Sequence, residues 1–257
     1  MRTEPFAEAE LTCDDFLGGK LRLWQARDGY RAGVDPVLLA ASVPARTGQS
    51  VLDLGCGAGA ALLSLGARVP GLRLTGIELQ PAYADLARRN AAANDLPAEI
   101  VTADLTELPT DLKQQRFDHV IANPPYFEPG RRMAAEDAGR ETGLAGPTAL
   151  SDWVAVAARR TDPRGTVTMI QRAARLPELL AAFAAHLHAV QVLPLAPRSG
   201  RDPKLVLIRG RKQGRAAFRL HASVILHDSP AHVEDREDYA PQIAAVLRCG
   251  AALSFPA

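Results

Sequence analysis

The sequence predicts an α/β fold built on a doubly wound, mostly parallel sheet. Two observations carry that reading. From Ser50 to Ala122, short apolar runs alternate with stretches of helical periodicity, the signature of βαβ units with helices on both faces of a sheet. Each apolar run also ends in a polar or glycine-rich turn, where open α/β sheets gather their ligands at the carboxyl ends of the strands. A chain of 257 residues with 47% hydrophobic content suffices for one substantial core.

In chain order, Lys20–Gln25 alternates apolar and polar residues and reads as a strand. Arg27-Asp28-Gly29 supplies a turn, so a short hairpin with Tyr30–Gly33 is expected. Asp35-Pro36 reads as an N-cap followed by proline at the first helical position, opening a helix to Ala41 or Ser42. Strands follow at Val51–Leu54, Arg73–Ile77, Glu99–Thr102 and Asp118–Ala122, with helices at Ala58–Arg68 and Ala82–Ala93 between them. Phe127–Thr148 has the composition of a long loop, either disordered or covering a substrate. Ser151 is expected to cap a helix to Arg160, before a strand at Thr166–Ile170, a helix at Pro177–His188 and a strand at Val190–Leu193. Leu205–Ile208 and Phe218–Leu226 read as a closing antiparallel hairpin, and Pro241–Arg248 as a last helix ended by Gly250. Residues 1–45 read as a hairpin-and-helix cap on a main domain of residues 46–257.

The chemistry lies in two brackets, VLDLGCGAG at Val51–Gly59 and IANPPY at Ile121–Tyr126. Gly55, Gly57 and Gly59 let the backbone turn tightly and approach a ligand. Asp53 can face an ammonium group, Glu78 ends the next strand where a ribose diol would sit, and Asp104 ends a third where an adenine amine would sit. S-adenosylmethionine has all three groups. In the second bracket, Pro124 and Pro125 remove two backbone donors and fix both φ angles, making a rigid turn that presents Asn123 and Tyr126. The Asn123 oxygen and the Pro124 carbonyl can accept from the two hydrogens of a planar amine, and the Tyr126 ring can stack on a base.

At these residues the sequence resembles the class I S-adenosylmethionine methyltransferases, in the subset with an N-P-P-Y motif that methylates adenine N6 or a glutamine amide. DDFLGGKLRLWQARDGYRAGVDPVLLAA at Asp14–Ala41, LPLAPRSGRDPKLVLIRGRK at Leu193–Lys212 and the closing YAPQIAAVLRCG resemble the bacterial tRNA adenine-N6 methyltransferases. The resemblance implies a Rossmann-like fold and S-adenosylmethionine as cofactor. It implies that Arg31 and Asp35 line the methionine end, and that Leu79, Ala103, Leu105 and Asn123 join the cofactor contacts. It also implies an anticodon-loop adenine of a tRNA as substrate. A protein-glutamine methyltransferase is the nearest alternative; a nicotinamide dehydrogenase leaves Asp104 and Asn-Pro-Pro-Tyr without a role, and a binding module that has lost catalysis sits poorly with an intact clamp.

A net charge of +1 hides an uneven distribution: Arg198–Arg219 holds eight basic residues against one acid. That segment is the expected RNA contact, with Arg201, Arg209, Arg211, Lys212 and Arg215 solvated around a buried strand. Three scattered cysteines and six histidines without ligand spacing predict no metal and a reducing, cytoplasmic setting. No apolar run reaches the roughly 20 residues that span a bilayer, the acidic MRTEPFAEAE start lacks a secretion signal, and a monomer or weak homodimer is expected.

Overall fold

The computed structural model describes residues 2–126, 148–228 and 238–256. Its centre is a parallel block: β3 (Ser50–Leu54), β4 (Arg73–Glu78), β5 (Ala98–Thr102), β6 (Phe117–Ala122) and β7 (Thr161–Arg172), in the spatial order β7-β6-β3-β4-β5. All five residues of β3 are buried, because helices cover both faces of a parallel sheet. The chain leaves β3 for β4 on one side and later takes β6 on the other. That reversal opens a crevice beyond the carboxyl end of β3.

One face is packed by α1 (Asp35–Ser42) and α2 (Ala60–Arg68), through Leu38, Leu39, Leu62, Leu63 and Leu65, with Val246 of the last helix. The other face is packed by Trp153, Val154 and Ala157 of a helix at Leu150–Arg160 and by Leu179 and Phe183 of one at Leu176–His186. With α3 at Pro81–Ala93 and a short α4 at Thr110–Gln114, these last two are α5 and α6; α7 is Pro241–Cys249. The α5 N-cap position is Ala149, without a side-chain cap, so Ser151 lies inside the helix rather than capping it.

The N-terminal hairpin differs from the expected one. The strand at Leu21–Ala26 (β2) pairs antiparallel with the preceding Leu11–Phe16 (β1), not with Tyr30–Gly33. Leu17-Gly18-Gly19 makes the turn, all three with positive φ. A Cβ on Gly18 would lie 2.4 Å from the Arg248 carbonyl oxygen, so glycine there serves both turn and packing. The hairpin is fastened to α3 by Asn90, which is fully buried. Its Oδ1 accepts from the Trp24 N–H (2.8 Å), and its Nδ2 donates to the Trp24 carbonyl (3.0 Å) and to Ala58 in the glycine turn (2.9 Å).

The antiparallel C-terminal hairpin exists, with different partners. β9 (Leu205–Arg211) inserts between β7 and β8 (His188–Ala196), antiparallel to both. With both edges of β9 taken, β10 (Arg219–Leu220) and β11 (Val224–Ile225) pair parallel with the outer edge of β8.

Candidate active site

The cradle begins where β3 ends. Gly55 has φ +67°, and a Cβ there would meet the Trp153 ring at 2.5 Å, because the α5 indole packs directly on the turn. Glu78, at the end of β4, holds the next residues of that turn. Its Oε2 accepts from the Gly57 N–H (2.9 Å) and its Oε1 from the Gln80 N–H (2.8 Å). Burial raises the Glu78 carboxyl above its usual range, and these backbone donors oppose the rise. Asp53 is 2% exposed beneath the turn. Burial and then the neighbouring Glu78 charge push its pKa well up, against a hydrogen bond from the Leu62 N–H in the first turn of α2. Burial, with the same two carboxylates, also pushes up the Cys56 thiol, which makes it a poor nucleophile. Asp104 caps the turn after β5, with Oδ1 accepting from the Thr106 N–H (2.8 Å) and hydroxyl (2.7 Å).

The clamp faces this cradle from the end of β6. The Asn123 Nδ2 reaches the Tyr30 hydroxyl at 3.5 Å, and its Oδ1 is buried with no hydrogen-bond partner among the described residues. The Pro124 carbonyl accepts from Gln171 Nε2 at 3.1 Å, and the Pro125 carbonyl from Gln171 and Arg175 at 3.4 Å each. Tyr126 donates its hydroxyl to Asp35 Oδ2, and the Arg172 guanidinium stands 5.3 Å from its ring centroid. Burial and the adjacent Asp35 carboxylate raise the Tyr126 phenol; burial raises Asp35, with the Tyr126 hydrogen bond pulling it back.

Asp35 therefore does not cap α1. Val34 holds that position, Asp35 is the first helical residue, and its carboxylate turns to the clamp. Arg31 lies near the same place, but its guanidinium is held by Asp14 (2.6 Å), Thr12 (2.7 Å) and the Ala26 carbonyl (2.9 Å).

Cradle and clamp enclose one cavity of about 740 Å³. Its lining brings together Arg31, Asp35, Asp53, Gly55, Gly57, Glu78, Leu79, Ala103, Asp104, Leu105 and Asn123–Tyr126. Gly59 is left out: it is the N-cap of α2 at φ +90°, where a Cβ would press on Leu63 at 3.1 Å. Leu79, 36% exposed, offers an apolar surface to the cavity. Gln25, Tyr30, Trp153 and Arg175 also line it and carried no spacing signal of their own. Of the Phe127–Thr148 segment, expected to be either disordered or a substrate cover, Thr148 lines the cavity and Phe127–Pro147 lie outside the described residues.

One expectation for the basic segment is overturned. Arg209 is half-buried rather than solvated: it donates to the Ser42 carbonyl at the end of α1 and stands 4.1 Å from the Phe255 ring centroid. Burial lowers its pKa to about 10. Leu205 is half-buried and Val206–Ile208 are buried, as expected of the strand that carries it. Arg198 is ion-paired with Asp238 at 2.7 Å. Among the described residues no cluster of three His, Cys, Asp or Glu could hold a metal, and no helix is long and apolar enough to cross a membrane.

A parallel sheet whose strand order reverses beside a glycine turn, with an acid at or just past the carboxyl end of each of three strands, defines a class I methyltransferase fold. The Methyltransferase small domain family matches residues 32–141. A Porphyromonas gingivalis relative named tRNA1(Val) (adenine(37)-N6)-methyltransferase is 30% identical over 258 residues, covering 92% of this chain and 99% of its own length. The chain belongs to that methyltransferase family. A crystal structure described as a predicted O-methyltransferase from Agrobacterium tumefaciens superposes with TM-score 0.70 at 27% identity, covering 87% of this chain and 100% of that one. A T. thermophilus 16S rRNA methyltransferase, bound to AdoMet and guanosine, shares the fold at TM-score 0.55 and 22% identity, covering 79% of this chain and 50% of that one.

Proposed function

We propose that this protein is an S-adenosylmethionine-dependent methyltransferase acting on N6 of an adenine in the anticodon loop of a tRNA. The observation that carries the reading is Asn123 Oδ1, a buried acceptor without a partner among the described residues, on a residue that lines a cavity rich in acids. A buried polar atom left unpaired is costly, and a donor supplied by the substrate would satisfy it. The cradle fits the cofactor: Glu78 retains lone pairs for a diol beyond its two backbone bonds, Asp104 has an oxygen outside the Thr106 cap, and Leu79 can pack on a purine. When bound, S-adenosylmethionine supplies an electrophilic methyl group.

The chain's own residues prepare the amine. Asn123 Oδ1 and the Pro124 carbonyl accept its two hydrogens, drawing the nitrogen out of conjugation. The Tyr126 ring, pinned through its hydroxyl, holds the base in place, and positioning rather than a strong base carries the rate. A glutamine amide would satisfy the same clamp; the name carried by the P. gingivalis relative favours adenine. Tritium transfer from labelled cofactor into fractionated cellular RNA and protein tests the reading. N6-methyladenosine in the tRNA fraction is the expected product; label confined to protein would sink it.

For the RNA contact we propose the site-facing end of the Arg198–Arg219 segment. β9 ends at Arg211 opposite Thr166 and His188, at the amino edge of the parallel strands. The turn that precedes β9 lies at the carboxyl edge, where the Lys204 carbonyl accepts from the Ala173 N–H. The seven residues of β9 separate these ends by about 20 Å. Arg201 and Lys204, both exposed, are therefore the phosphate contacts nearest the clamp. Replacing both by alanine should reduce the slope of log affinity against log salt by up to about 2. Replacing Arg211, Lys212 and Arg215 should change it less; the reverse order would move the RNA to the other edge.

A further inference from the structure

We infer that Gln171 is a positioning residue of the clamp, holding the Pro124 carbonyl so that its remaining lone pair faces the substrate amine. The inference rests on the function proposed above. Gln171 lies near the end of β7, two residues beyond Met169, which pairs with Ala122 at the end of β6. The β6 ladder stops there because neither Pro124 nor Pro125 has an N–H. The pairing of β6 with its neighbours ends at Ala122, so the carbonyls of these prolines lie past the ladder, and the Gln171 side chain donates to both. Its Nε2 lies 3.1 Å from the Pro124 oxygen and 3.4 Å from that of Pro125, and the residue is fully buried.

The direction of the amide is dictated by its other end. Gln171 Oε1 accepts from the Arg172 N–H at 2.8 Å. Reversing the amide would set its oxygen against two carbonyl oxygens and its NH2 against an N–H, so only one orientation is satisfied. One end of this buried side chain is thus anchored on its own strand and the other holds the turn, and its amide has no other hydrogen-bond partner among the described residues. A carbonyl oxygen has two lone pairs. With one engaged by Nε2, the Pro124 oxygen offers a single acceptor in a fixed direction, the geometry that a differentially bound amine requires. The charged groups nearby are Arg175, which donates to the Pro125 carbonyl and pairs with Glu178, and Arg172, which stands beside Tyr126 and Asp35.

Two variants test this against a merely structural role. Gln171→Leu cannot donate at any pH. Gln171→Glu donates only while its new carboxyl is protonated; when ionised it sets acceptors against acceptors. With tRNA as substrate, Gln171→Leu should lose about tenfold or more in kcat, the worth of one hydrogen bond, with little change in cofactor Kd. Gln171→Glu should be similarly impaired near pH 8, and its kcat relative to wild type should recover as the pH is lowered toward 6. Burial raises the new carboxyl above its unfolded value, so the stability of this variant relative to wild type should fall as pH rises over the same range. That second readout needs no substrate. A wild-type protein that leaves tRNA unmethylated would overturn the functional reading, while the stability profile would still report on the hydrogen bond. Gln171→Leu with wild-type kcat, or Gln171→Glu with activity and stability profiles parallel to wild type, would overturn the inference.

Discussion

Asn123→Ala is expected to lower kcat at least about a hundredfold, comparable to removing one preorganised group from an oxyanion hole. The loss should fall on kcat because the Oδ1 acceptor gains most when the amine hydrogens turn toward it as the nitrogen pyramidalises. Cofactor affinity should stay near wild type, since the Glu78-anchored turn and Asp104 are untouched and the only described bond lost is the long contact to Tyr30. Folding stability should be unchanged or slightly higher. In the free protein Oδ1 is a buried acceptor without a partner, so deleting it removes a cost rather than a contact. Asn123→Asp keeps an acceptor but adds a carboxylate to a cavity that already holds Asp53 and Glu78, whose pKa values are raised. Single-turnover methyl transfer and thermal unfolding measured together decide the matter. Near-wild-type transfer by Asn123→Ala would falsify the clamp and leave Asn-Pro-Pro-Tyr as architecture.

The two strands that carry the brackets are legible because each is an apolar, largely buried run that breaks into turn-forming residues. Val51–Leu54 runs into glycine, and Asp118–Ala122 into Asn-Pro-Pro. The cradle and clamp followed, since both are built from residues close in sequence to those strand ends. What failed was whatever a distant partner decides. Asp35-Pro36 looks like a cap, yet a hydrogen bond across 91 positions turns Asp35 to Tyr126. Arg209 looks solvated because it follows the apolar run Leu205–Ile208 within a basic segment; between β7 and β8 the strand is interior, and the guanidinium donates to the Ser42 carbonyl and packs over Phe255. Leu11–Phe16 carries no strand pattern of its own, because its middle residues, Thr12 to Asp15, are mostly polar, and only pairing with β2 makes it a strand. Gln171 and Trp153 enter the site from elements beyond the second bracket, and no local pattern signals a contact of that kind.

Glu78→Ala should weaken S-adenosylmethionine binding by about 2–4 kcal/mol, a rise of about 30- to 700-fold in Kd by calorimetry. Two losses combine. The diol hydroxyls lose a charged acceptor, and the Gly57 and Gln80 N–H groups lose the carboxylate that holds the turn. The pH dependence separates Glu78 from an ordinary surface acid. Its folded pKa lies above the unfolded value, as does that of Asp53, so the charged forms are disfavoured by folding. This pair's contribution to stability is accordingly full below the unfolded carboxylate range and is lost as pH rises through the folded values. Cofactor binding runs the other way: the ribose hydroxyls donate best to an ionised carboxylate, so affinity should fall as pH drops through the raised Glu78 value. Glu78→Gln should flatten both trends. It removes one titrating group and also the charge that helps to raise Asp53. Unchanged Kd in Glu78→Ala would place the ribose elsewhere, and trends of the same sign in wild-type stability and cofactor affinity would show that the buried pair does not govern the cradle.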